Sequence, residues 1–107
     1  MDKEQLMNNA KILGFESKFL HNKSYKYSNL EDLRWLFWMT ELQKFLRDNY
    51  KMFVSIYDYI EGFQSNITWD NYIENDDDDE LLYNTYEETL YNGLLIGIND
   101  ITKWKNQ

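Results

Sequence analysis

The segment SNLEDLRWLFWMTELQKFLRDNY, residues 28–50, constrains the fold more than any other part of the chain. Ser28 and Glu31 form an S-x-x-E capping box, which satisfies backbone N–H groups at a helix start, so a helix is expected from near Asn29. Asp32 adds a second acid at the positive end of the helix dipole. Trp35, Trp38, Met39, Leu42, Phe45 and Leu46 then recur at three and four residues, the period of one helix face. Leu33, Leu36 and Phe37 widen that stripe until WLFWM is apolar almost all round. A helix apolar on most of its circumference is buried on most of it. The segment is therefore read as a central helix, with a sheet on one side and the N-terminal segment on another.

The partners of that helix follow from shorter patterns. In DKEQLMNNAKILGF, Leu6, Ala10 and Leu13 form one apolar helix face. Gly14 stands where a left-handed C-cap is expected, with Phe15 as its hydrophobic partner. ESKFLHNKSYKY reads as irregular, anchored by Phe19, Leu20, Tyr25 and Tyr27. In KMFVSIYDYIEGF, Val54, Ile56 and Asp58 alternate with Ser55, Tyr57 and Tyr59, which predicts a strand ending in a turn at Gly62. NITWDNYIE predicts a second strand. Ile67, Trp69, Asn71 and Ile73 lie on one side, and Thr68, Asp70, Tyr72 and Glu74 on an acidic outer face. ELLYN predicts a third strand, reached across the aspartate run at 76–79. In TYEETLYNGLLIGINDITK, Thr85 and Glu88 form another capping box, and Leu90, Leu94, Ile98 and Ile101 a core face. Gly93 and Gly97 each cost about 1 kcal/mol of helix propensity against alanine, and fit a helix packed closely on its neighbours. The helix lacks the apolar run that a membrane G-x-x-x-G motif requires.

The expected fold is one α+β domain over residues 1–107. An N-terminal helix and irregular segment occupy 1–27, and an α-β-β-β-α core occupies 28–107, giving α-α-β-β-β-α in all. Three antiparallel strands pack on the Trp-rich central helix and the C-terminal helix. The core order is that of a double-stranded-RNA-binding domain, a likeness of topology alone. That fold presents basic side chains to phosphates, whereas Tyr86, Glu87 and Glu88 open the last helix here.

Four Trp, nine Tyr and six Phe, each able to bury ~150–250 Å², supply a core large enough for a folded domain. Without cysteine there is no disulfide or thiolate chemistry, which fits a reducing, cytoplasmic setting. The first residues hold no apolar core of signal-peptide length, and no apolar run approaches the ~20 residues of a membrane span. Charge is uneven. Residues 1–53 carry nine Lys/Arg and seven Asp/Glu, residues 54–107 two and twelve, and the net charge is −8. No basic residue stands between Val54 and Thr102. Direct binding to DNA or RNA, which needs cations to displace counterions, is not expected.

Three stretches, LGFESKFL…YKYS at 13–28, LRWLFWMTELQKFLRDNYKMFVSI at 33–56 and YNTYEETLYNGLLIGI at 83–98, resemble a group of small uncharacterised proteins from bacteriophages and prophages of gut Bacteroidetes. The matching residues Leu42, Phe45, Leu46, Thr85, Glu87, Glu88 and Leu90 are core and cap positions. The resemblance implies a phage or mobile-element protein acting in the cytoplasm of a bacterial host cell. It brings no catalytic residue with it.

Chemistry is sparse. His21, the single histidine, lies in LHNKS with no acid beside it and reads as a loop residue. Zinc in its usual forms needs several His or Cys ligands. The run Asp76, Asp77, Asp78, Asp79 and Glu80 offers the hard oxygens that calcium prefers, but without the glycine and alternating register of a calcium-binding loop. No carboxylate pair is singled out for glycoside hydrolysis, and the four glycines form no phosphate-cradling loop. No catalytic residue, cofactor or metal site is assigned, and the chain is read as non-enzymatic.

Two binding modes remain. Asp58, Glu61, Asp70, Glu74 and the 76–80 run offer an acidic surface. It suits a basic nucleic-acid-binding host protein, as a nucleic-acid mimic of the anti-restriction or anti-CRISPR type. A charge run is also the usual makeup of a solvated loop, which keeps a small protein soluble and blunts a strand edge. Tyr57, Tyr59, Tyr72 and Tyr91 offer an aromatic protein interface, or else cover the sheet and fill space beneath the N-terminal segment. An edge strand would also let the chain pair with its symmetry mate as a homodimer.

Overall fold

In the computed structural model, residues 2–17, 30–69, 72–75 and 82–105 are described. The chain runs through helix α1 (Lys3–Ile12), helix α2 (Leu30–Tyr50), strands β1 (Met52–Tyr59), β2 (Gly62–Trp69) and β3 (Tyr72–Asn75), and helix α3 (Tyr86–Lys105). The strands form an antiparallel sheet in the order β1-β2-β3. α3 lies across β1 and β2, α2 packs on β1 and α3, and α1 packs on α3. The α+β class stands.

Each helix end has a local cause. Asp2 Oδ1 accepts from Gln5 N at 3.0 Å and caps α1. At the other end Gly14 takes φ +91°. Gly14 N donates to Lys11 O at 2.9 Å and Phe15 N to Ala10 O at 3.1 Å, the paired bonds of a Schellman cap. Phe15 is thereby turned into the core, edge-on to Trp38 at 5.4 Å. Thr85 Oγ1 accepts from Glu88 N at 3.1 Å at the start of α3. Ser28 and the anchors expected at Phe19, Leu20, Tyr25 and Tyr27 lie outside the described residues.

α2 ends without a glycine. Lys51, the link into β1, sits at φ +53°, a left-handed conformation that crowds any Cβ and costs ~1 kcal/mol or more. Lys51→Gly is expected to raise stability by about 0.5 kcal/mol, the relieved strain less the extra freedom glycine brings to the unfolded chain. A lower urea midpoint for that variant would count against strain at this link.

The core forms where α2, α3 and one sheet face meet. Trp35, Trp38, Met39, Leu42 and Leu46 of α2 are buried, as are Leu90, Leu94, Ile98 and Ile101 of α3 and Met52, Val54 and Ile67 of the sheet. α2 is less enclosed than its composition implies, since Phe37 is 41% exposed. Gly93 and Gly97 let α3 settle on the strands. A Cβ at Gly93 would stand 2.8 Å from Val54 Cγ1, and one at Gly97 2.7 Å from Met52 Sδ.

The strands differ from expectation in two places. NITWDNYIE is not one strand. Trp69 pairs with Tyr72, so β2 and β3 run antiparallel; Asp70 and Asn71, which link them in sequence, lie outside the described residues, and both residue types favour turns. The reversal changes the register. Glu74, expected beside Thr68, pairs with Ile67, and Ile73, expected beside Ile67, pairs with Thr68. Of ELLYN, only Leu82, Tyr83 and Asn84 are described, and they do not form a strand. They contribute one isolated bridge, Tyr83 to Phe63, with Tyr83 N donating to Phe63 O at 2.8 Å and Phe63 N to Tyr83 O at 2.9 Å. Asn75 faces Asn66 and Tyr83 faces Phe63, both on the same edge of β2. The described residues on either side of the acidic run thus stand on one strand edge, where a third strand beyond the run was expected.

Candidate protein-binding surface

Burial along β1 locates the surface. The positions turned toward the helices run buried at Met52 and Val54, half-buried at Ile56 and exposed at Asp58. The helix layer therefore ends before the strand does. Beyond it the end of β1 and the hairpin turn are open on both faces, with Tyr57, Asp58, Tyr59, Ile60 and Glu61 all exposed, while Gly62, Phe63 and Gln64 on the β2 side are half-buried. Tyr59 pairs with Gly62, so Ile60 and Glu61 form a two-residue turn, and Ile60 at its tip is fully exposed. An aspartate at an inward register is tolerated here because no helix desolvates it.

Gly62 ties this hairpin to the rest of the acidic end. It holds φ +153°, and a Cβ there would stand 2.8 Å from Tyr83 O and 3.0 Å from Leu82 Cβ. That close approach brings the returning chain against the hairpin base. α3 begins alongside, where Phe63 and Tyr86 meet edge to face at 6.3 Å, and carries Glu87 and Glu88 in its first turn. Acids from the hairpin and the helix start therefore share one end of the sheet. α2 and α3 both finish at the opposite end, with Arg47, Lys51, Lys103 and Lys105. There Lys105 Nζ donates to Tyr50 OH at 2.9 Å, and Trp69 meets Trp104 at 5.7 Å. The fold turns an uneven sequence into a molecule with an acidic and a basic end.

Of the sequence-assigned acids, Asp58 and Glu61 stand on the projecting hairpin, and Glu74 lies on β3 in register with Ile67. Asp70, Asp76, Asp77, Asp78, Asp79 and Glu80 lie outside the described residues, as does His21. The described neighbours of the run, Asn75 and Leu82, stand beside β2 and the hairpin base. No family model, curated protein or solved structure matches this chain. Nothing there links it to phage proteins.

The tyrosines divide. Tyr57 and Tyr59 are exposed on the outer face of β1, joined by Phe53, and Tyr57 OH accepts a long contact from Asn66 Nδ2 at 3.5 Å. Tyr91, read either as an interface residue or as filler beneath the N-terminal segment, is the latter, only 6% exposed. Its hydroxyl accepts from Asp2 N at 3.0 Å and donates to Asp2 O at 3.2 Å, pinning α1 to α3. Sequence reading missed Ile60. Its signal was present, a large apolar residue beside Glu61-Gly62 in a hairpin turn, where a core residue has no business. Among the described residues no three His, Cys, Asp or Glu side chains are placed to hold a metal ion, and no helix is long and apolar enough to cross a membrane. A groove on α2, lined by Phe37, Thr40, Glu41, Gln43, Lys44 and Arg47, mixes both charges on one open helix side and brings no reactive group together.

Proposed function

We propose that this is a small acidic, non-catalytic protein that acts by binding another protein through its projecting hairpin. The observation that carries the reading is the run Tyr57–Glu61, exposed on both faces, with an uncovered isoleucine at its tip and carboxylates on either side. Aromatic and apolar anchors at the centre of a contact, with charge around them, are the usual composition of an interface core and rim. The resemblance described above supplies the context, a phage accessory protein in the cytoplasm of a bacterial host.

A second reading is favoured by the gathering of acids at one end. The protein would mimic a nucleic-acid backbone and occupy the basic channel of a host nuclease or defence effector. Salt separates the two. Exposed charges are screened within ~10 Å at moderate ionic strength, while apolar burial is not. Affinity capture from a bacterial lysate at low and high salt is the test. A partner held at both salt levels, and lost on Ile60→Asp, supports hairpin docking. A partner held only at low salt and displaced by DNA supports mimicry. In that case replacing Asp76, Asp77, Asp78 and Asp79 by asparagine is expected to weaken it roughly tenfold, at a few tenths of a kcal/mol per exposed charge. Undiminished competition would remove the aspartate run from the mechanism, and no retained protein at either salt would overturn both readings.

A further inference from the structure

Resting on the protein-binding reading, we propose that the outer face of the hairpin takes an arginine side chain of the partner between Tyr57 and Tyr59, as part of an arginine-rich segment. Tyr57 and Tyr59 lie two residues apart on one face of β1, each about half exposed. Same-face neighbours along a strand stand about 6.6–6.8 Å apart, close to two carbon contact separations of ~3.5 Å. One planar group fits between two such rings. The residues paired with them on β2 are Gln64 and Gly62, which add no competing charge.

The surrounding charge decides what that group is. Asp58, on the opposite face of the strand, and Glu61, in the turn, are both exposed within two residues of Tyr59, and no Lys or Arg occurs between Val54 and Thr102. Phosphate and nucleic acid are repelled from such a face. A purely apolar partner would leave the negative field of this end unanswered. A second copy of this chain paired symmetrically through the hairpin would set the same acids against each other. A flat, weakly hydrated cation stacks on the tyrosine rings of the outer face and is drawn to it by the field of the carboxylates around the hairpin end. That describes a guanidinium and not an ammonium group.

The test uses the full chain and fluorescently labelled oligoarginine and oligolysine peptides of equal length, titrated by anisotropy. Oligoarginine is expected to bind about tenfold tighter than oligolysine, as two stacking contacts imply. Tyr57→Thr with Tyr59→Thr is expected to abolish that preference, and Tyr57→Phe with Tyr59→Phe to retain it, since the ring face is kept. Asp58→Asn with Glu61→Gln is expected to weaken both peptides alike and to flatten the salt dependence. Equal affinity of the two peptides for the native chain overturns the proposal without any variant. Survival of the arginine preference in the threonine double variant overturns it as well. A host protein captured through the hairpin with no arginine preference would remove this site alone and leave the protein-binding reading standing.

Discussion

Replacing Gly93 by valine is expected to cost about 3 kcal/mol of stability or more, the upper range for forcing extra methyl groups into a packed core. A Cβ at this position already meets Val54 Cγ1 at 2.8 Å and Ser65 Cβ at 3.0 Å. Val54 is β-branched and held to few rotamers, and the Cβ of Ser65 is fixed by its backbone. Neither can yield unless α3 lifts off the sheet. Gly93→Ala keeps the clash but recovers about 1 kcal/mol of helix propensity, so its net loss is expected to be about 1–2 kcal/mol. Gly97 is the internal control. The atom nearest a Cβ there is Met52 Sδ at 2.7 Å, and a thioether can swing aside. Gly97→Ala is expected to stay within about 1 kcal/mol of the native protein, helix propensity offsetting the contact. Urea unfolding of the three variants reads the order. Gly93→Val melting with Gly97→Ala would mean that α3 stands further from the strands than described.

Trp38→Ala is expected to cost about 3–5 kcal/mol, the range for truncating a buried tryptophan or phenylalanine. Small domains hold only about 5–15 kcal/mol in total. Trp38 is 3% exposed, stacks on Trp35 with ring centroids 5.1 Å apart and planes 9° from parallel, and receives the edge of Phe15 at 5.4 Å. Its loss removes the surface on which the Schellman cap seats Phe15, so hydrogen exchange at Phe15 is expected to rise before exchange at the centre of α3. Trp38→Phe keeps an aromatic face and is expected to cost roughly half as much. Unfolding midpoints with less than about 1 kcal/mol lost in Trp38→Ala would show that the N-terminal segment does not depend on this ring.

Much of this was legible because it is local. The face of Leu6, Ala10 and Leu13, the Gly14 cap and the Thr85 cap each depend on residues within a few positions of one another. The stripe from Trp35 to Leu46 needs only a helical period. The errors fell where two local patterns compete. Trp69-Asp70-Asn71-Tyr72 reads as alternation if Asp70 and Asn71 count as polar strand residues, and as a hairpin if they count as turn formers. A side-chain period of two makes that choice flip every later residue to the other register, which is why Glu74 and Ile73 exchanged partners. Ser65 shows a subtler limit. It is buried with no hydrogen bond to its hydroxyl among the described residues, and nothing near it in sequence says so. It is small because the backbone of α3 at Gly93 lies above it.

The sequence by itself determined the class of the fold, the helix that organises it and the excess of acid in the second half, since period, capping and charge are carried by neighbouring residues. Only the tertiary structure decided where those acids meet. The closing of β1 on β2, the return of the chain to Phe63 at Tyr83 and the start of α3 beside Phe63 bring distant segments to one end. It also decided that the hairpin outruns the helices, which depends on where α3 is set down on the strands through Gly93 and Gly97. That placement exposes Tyr57, Tyr59 and Ile60 while burying Tyr91, because burial is set by which element lies above a residue and not by the residue itself.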